Sequence, residues 1–117
     1  MNKKVLVIDD EADVRTFLEA VLESGGYETL TAENGAQGLE VARAEHPALV
    51  ILDLMMSNQT GTDFYRNLTK DKDLANIPVI IVSGLAGRHL AVKEPAAVFD
   101  KPIDPDEFLA AVEKALG

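Results

Sequence analysis

The chain has no cysteine and no tryptophan. Without cysteine there is no disulfide framework, no thiol nucleophile and no zinc–thiolate site. With only four phenylalanines and two tyrosines in 117 residues, the core must be mainly aliphatic. Positive charge is also scarce: 11 lysines and arginines face 20 aspartates and glutamates, a formal net charge of −9. An acidic surface repels a polyanion and has few cations to replace its counterions, so direct nucleic-acid binding is not expected. The same acidity aids solubility. Long apolar runs are absent too, none approaching the roughly 20 residues needed to cross a bilayer. Met1-Asn2-Lys3-Lys4 leads at once into a strand-like run too short for a secretory signal, so a cytoplasmic protein with no membrane attachment is expected.

What remains suits one ordinary globular domain. The length allows a real core but not two domains, and 47% apolar with 26% charged residues is a folded composition. Several short apolar runs end on a polar residue. Val5-Leu6-Val7-Ile8 stops at Asp9-Asp10, Leu49-Val50-Ile51-Leu52 at Asp53, Val79-Ile80-Ile81-Val82 at Ser83, and Ala96-Ala97-Val98-Phe99 runs through Asp100 to Lys101. Runs of this kind, separated by helical stretches, read as buried strands of a parallel sheet.

The periodicity predicts strands over 4–8, 27–31, 48–53, 78–83 and 96–100. Between them fall helices over 12–24, with Val14, Phe17, Leu18, Val21 and Leu22 inward, from Asn34-Gly35 to about Glu45, with Ala36, Leu39 and Ala42 inward, and near 62–70, with Phe64 and Leu68 inward. Gly25-Gly26 and Pro47 stop the first two. Residues 71–76 read as a polar connection, and residues 84–95, with Gly84, Gly87 and Pro95, hold at most a short fourth helix. Asp104-Pro105-Asp106-Glu107 opens the last helix with an N-cap, proline at N1 and glutamate at N3, and Phe108, Leu109, Val112 and Leu116 form its inner stripe. Alternating strands and helices give a doubly wound α/β fold with helices on both faces.

In such sheets the ligand site lies outside the carboxyl ends of the strands, at the switch point. With strand order 2-1-3-4-5, the first and third strands are neighbours there, which brings Asp9 and Asp10 to Asp53. At about 4 Å and an effective dielectric near 20, each like-charged pair would cost about 4 kcal/mol. Lys101 supplies one compensating charge, and a divalent cation is the natural remainder. Hard oxygen donors without nearby histidine or cysteine favour Mg²⁺. Glu11 and Asp13 are read instead as complements to the dipole of the first helix. His46 and His89 read as solvent-facing, and the Met55 and Met56 side chains as packing groups.

Asp9-Asp10, Asp53 followed by Gly61, Ser83 and Lys101-Pro102 resemble, in order and spacing, the receiver domain of bacterial two-component response regulators, over the whole chain 1–117. The resemblance implies a single flavodoxin-like domain. It implies that Asp53 accepts a phosphoryl group from a sensor histidine kinase or a phosphotransfer protein. Asp9, Asp10 and Asp53 would hold Mg²⁺ with the backbone carbonyl of Met55, Ser83 and Lys101 would contact the phosphoryl group, and Gly61 and Pro102 would be structural, the Lys101–Pro102 peptide being commonly cis in the family. Such a domain is no enzyme toward other molecules: it catalyses only its own phosphorylation and dephosphorylation, and signals to a downstream target protein, with homodimerisation left open.

Three positions depart from the family pattern. Ser57 stands where a proline is usual four places after the phosphoacceptor. The segment between Ser83 and Lys101 is short by roughly one helical turn, about 3.6 residues, so the fourth helix is expected to be short or disordered. The switch aromatic three places before the lysine is replaced by Val98, with Phe99 beside it on the opposite face. These departures keep one alternative open, a pseudo-receiver that docks proteins without being phosphorylated. An aspartyl-phosphate hydrolase would need an acid two places after Asp53, where Met55 stands, and a nucleotide or flavin fold would need a glycine-rich first loop where Asp9-Asp10-Glu11 stands.

Overall fold

The computed structural model describes residues 3–53, 61–83, 96–100 and 103–116. The elements run β1 (Lys4–Ile8), α1 (Ala12–Ser24), β2 (Glu28–Ala32), α2 (Gly35–Glu45), β3 (Leu49–Asp53), α3 (Gly61–Lys70), β4 (Val79–Ser83), β5 (Ala97–Asp100) and α4 (Pro105–Leu116). All strand pairs are parallel, in the order β2-β1-β3-β4-β5. The short fourth helix expected within 84–95 lies outside the described residues, as do Met55, Ser57, His89, Lys101 and Pro102.

Strand alternation sorts the apolar side chains into two layers. Leu6, Ile8, Val50, Leu52, Val79 and Ile81 pack toward α2 and α3, meeting Ala42, Phe64 and Leu68. Val5, Val7, Leu49, Ile51, Ile80 and Val82 pack toward α1 and α4, meeting Leu18, Leu22, Phe108 and Val112. Phe99 joins the second layer, its ring edge-on to Phe108 with centroids 5.7 Å apart. The aromatic displaced from the usual position is thus committed to the α4 interface.

Local chemistry sets the helix ends. At the end of α1 the Tyr27 N–H donates to the Leu22 carbonyl and the Gly26 N–H to Glu23, with Gly26 at φ 89°, a Schellman motif that needs the left-handed conformation glycine adopts freely. This motif takes up Tyr27, so β2 starts at Glu28, one residue later than periodicity suggests. The Asn34 side chain accepts from the Gln37 N–H at 2.8 Å to cap α2, and Asp104 accepts from the Asp106 and Glu107 N–H groups to cap α4. Pro78 stays outside β4 but its carbonyl accepts from the Val50 N–H, as a proline at a strand start can.

Three packing expectations are corrected. Phe17 is 41% exposed, because α1 buries only the narrower stripe Leu18, Val21 and Leu22. Ala36 is exposed, and the buried face of α2 is Gly35, Gly38 and Ala42. A Cβ on Gly38 would stand 2.5 Å from Ile8 Cδ1, so the missing side chain is what lets α2 lie close on β1. Leu74, in the connection read as polar, is fully buried in the α2/α3 layer.

Candidate functional site

β1 and β3 pair with Ile8 opposite Leu52. One step further along each strand stand Asp9 and Asp53, at the carboxyl end of the sheet where the strand order switches. Both are buried, Asp9 at 1% and Asp53 at 2% exposure. Asp10 and Glu11 follow on the loop into α1 and are exposed. One carboxylate oxygen from each of Asp9, Asp10, Glu11 and Asp53 lies within 4.8 Å of the others.

That spacing suits a single ion: opposite ligands at 2.0–2.6 Å from a hard cation stand about 4–5 Å apart. The donors are all carboxylate oxygens, with no nitrogen or sulfur among them, which matches Mg²⁺ or Ca²⁺ chemistry rather than zinc or copper. Asp9 and Asp53 are withdrawn from water, and like charges at this spacing favour added positive charge at the site. The residues therefore fit a divalent cation on two independent grounds, donor chemistry and spacing.

The loop carrying the acids is tied down by its backbone. The Asp9 N–H donates to the Ala32 carbonyl at 3.2 Å, and the Asp9 carbonyl accepts from the Arg15 guanidinium at 2.6 Å. Asp9 Oδ1 accepts from the Glu11 N–H at 2.9 Å. Glu11 is the N-cap of α1, with extended backbone at φ −93° and ψ 116°, yet its side chain makes no capping hydrogen bond.

The structure thus gathers Asp9, Asp10 and Asp53 as their strand-end positions imply. The backbone of Ser83 ends β4 at the same edge of the sheet, one position beyond the Asp53–Val82 register pair, and Gly61 opens α3. Met55, Lys101 and Pro102, proposed from the family pattern, fall outside the described residues. His46 is exposed, as its place beside Pro47 at the end of α2 implies. Two residues were not anticipated. Glu11, assigned to the helix dipole, has its carboxylate among the other three. Arg15, four positions on and therefore on the same side of α1, reaches back to Asp9. A cation spaced i, i+4 from the last acid of the loop was the readable signal for the second.

Residues 5–113 match the family described as the response regulator receiver domain. Protein Rrf1 of Nitratidesulfovibrio vulgaris is 32% identical over 116 residues, covering 99% of this chain and 84% of Rrf1. The probable transcriptional regulator ycf27 of Porphyridium aerugineum is 36% identical over 98% of this chain, which spans about half of that relative's length, 48%. The crystal structure of a response regulator receiver domain protein from Clostridium thermocellum is similar with a TM-score of 0.87 and 30% identity, over 97% of this chain and 94% of the other. The strand order, the acid cluster at its switch point and a family match running nearly end to end agree, and the chain belongs to the response regulator receiver domain family.

Proposed function

We propose that this chain is a phosphoacceptor signalling domain in which Asp53 takes a phosphoryl group from a phosphohistidine in a magnesium-dependent reaction. The observation that carries the reading is the convergence of Asp9, Asp10 and Asp53, from two strand ends far apart in sequence, within 4.8 Å. Receiver domains act between histidine kinases and downstream targets, and family membership supports a sensor histidine kinase or a phosphotransfer protein as the donor.

Asp53 is the nucleophile. A carboxylate oxygen attacks phosphorus in line with the phosphorus–nitrogen bond, that bond breaks, and its electron pair returns to the imidazole nitrogen of the donor, leaving an acyl phosphate on Asp53. Near-complete burial holds the carboxylate on a rigid strand end and excludes competing water. Asp9, Asp10 and Asp53, with the Met55 carbonyl, would hold Mg²⁺. When bound, the ion supplies positive charge against the phosphoryl oxygens. Ser83 donates its hydroxyl to a phosphoryl oxygen, and Lys101 neutralises Asp53 before transfer and the phosphoryl group after it. The domain acts on no other substrate, and its output passes through protein contacts.

The test uses Mg²⁺ and acetyl phosphate with intact-mass spectrometry. The expected result is addition of one phosphoryl group to the wild-type chain and none to Asp53→Asn. A wild-type chain left unmodified would make this a docking module that works without phosphorylation.

A further inference from the structure

We infer that Arg15 is a positioning residue for the metal-binding loop, clamping the Asp9–Asp10 peptide so that its carboxylates face the site. This deepens the reading above and rests on it for the identity of the ion. Arg15 lies in α1 with its side chain only 16% exposed. One guanidinium nitrogen donates to the Asp9 carbonyl at 2.6 Å, and the other lies 3.6 Å from a Glu33 carboxylate oxygen. Its backbone N–H also donates to the Glu11 carbonyl at 3.1 Å. The arginine side chain therefore holds the acid loop at the Asp9 peptide, while the backbone bond to Glu11 is the first helical hydrogen bond of α1.

The opposite side of the loop is held as well. The Asp9 N–H is bound to the Ala32 carbonyl, the residue just before Glu33. Ala32, Asp9, Arg15 and Glu33 form a closed ring of contacts linking the end of β1 to the end of β2. A peptide unit is planar, so fixing the direction of the Asp9 carbonyl also fixes the bond that leads into Asp10. That plane sets where the Asp10 Cα stands, and so the point from which its side chain reaches toward the site. The forked guanidinium matters here, because a lysine ammonium is one compact charge that cannot match this two-sided grip.

Charge and geometry make opposite forecasts for this residue. If Arg15 were only a counter-charge, its removal would leave the site more negative and tighten cation binding. If it positions the loop, removal weakens binding, by about tenfold for a partner that orients metal ligands. We commit to the second sign.

The experiment titrates Mg²⁺ calorimetrically into the full chain and into Arg15→Met, Arg15→Lys and Glu33→Gln, and measures amide hydrogen exchange by NMR on the metal-free proteins. The expected outcome for Arg15→Met is about tenfold weaker binding, with faster exchange at Asp10 and Glu11 and unchanged exchange in β3 and β4. Arg15→Lys should recover part of the loss, and Glu33→Gln should change affinity less than twofold. Unchanged or tighter binding in Arg15→Met overturns the proposal, and so does exchange that accelerates equally throughout the sheet in both Arg15 variants, which would mark a merely structural role. A wild-type chain that takes up no magnesium would sink the phosphoacceptor reading instead. The exchange rates at Asp10 and Glu11 would then decide the clamp by themselves.

Discussion

At its start β1 carries Lys4, whose ammonium lies 2.8 Å from the Glu45 carboxylate with both side chains well exposed. At its end the chain leaves the same strand into Asp9, 1% exposed and grouped with three further carboxylates within 4.8 Å. One end of the strand pairs opposite charges in water, where the gain is small and screened by salt. The other sets two buried carboxylates, Asp9 and Asp53, beside like charges, where desolvation and repulsion both cost free energy. The two aliphatic layers, from Val5 to Val82 on both faces of the sheet, supply the stability that tolerates this cost. Among the described residues, Asp9 and Asp53 are the buried charged side chains, and both stand at this end of the sheet.

The strongest way to break this contrast is to remove an acid. Asp9→Asn keeps an oxygen to accept the Glu11 N–H but discards a charged metal donor. With magnesium at about one hundred times its dissociation constant, the wild-type chain should gain about 2.7 kcal/mol of stability, and Asp9→Asn should gain little. Urea midpoints with and without the ion check this, and equal gains in the two proteins would count against the site. A smaller effect is expected below the loop. Gly38→Val would drive side-chain atoms into Ile8, already 1% exposed, at a cost of about 1–3 kcal/mol. Because Ile8 immediately precedes Asp9, magnesium affinity should fall as well. An unchanged unfolding midpoint would show that α2 simply shifts to make room.

The smallest effect belongs to the exposed end. The Lys4 contact holds the Glu45 carboxyl below its usual range, chiefly through their hydrogen bond, and the same bond holds the Lys4 ammonium above its own. A lowered carboxylate contributes stability above its ordinary pKa that is lost as pH falls through the folded value. A raised ammonium contributes below its ordinary pKa and loses that contribution as pH rises through the folded value. The pair is thus fully present at neutral pH and fades at both extremes. Lys4→Gln should shift thermal stability slightly at pH 7, less in high salt, and leave magnesium binding unchanged. A loss of magnesium binding in that variant would show that the two ends of β1 are coupled.

Much of this arrangement was legible because buried parallel strands are written as continuous apolar runs, and Asp9 and Asp53 stand out as the first polar residues past two of them. β2 was harder to place, since as an edge strand only Ala32 is fully buried and its threonines blur the pattern. α2 was misread for a different reason. Hydropathy rewards Ala36, whereas the close approach is made by Gly38, whose contribution is the absence of a side chain. Glu11 was ambiguous because an N-cap acid can serve its helix or turn away from it, and only tertiary packing decides which. Phe17 follows the helical period, but the period does not say how wide a stripe the sheet will cover.

The strand register has a consequence of its own. Ile8 faces Leu52 across the β1–β3 ladder, so Asp9, the first residue past β1, falls beside Asp53 at the end of β3. Sliding one strand past the other by a single residue would both separate the acids and turn each apolar row toward the wrong helix layer. The hydrophobic core therefore acts as the alignment gauge for the ion site: whatever sequence keeps both layers dry also keeps Asp9 abreast of Asp53.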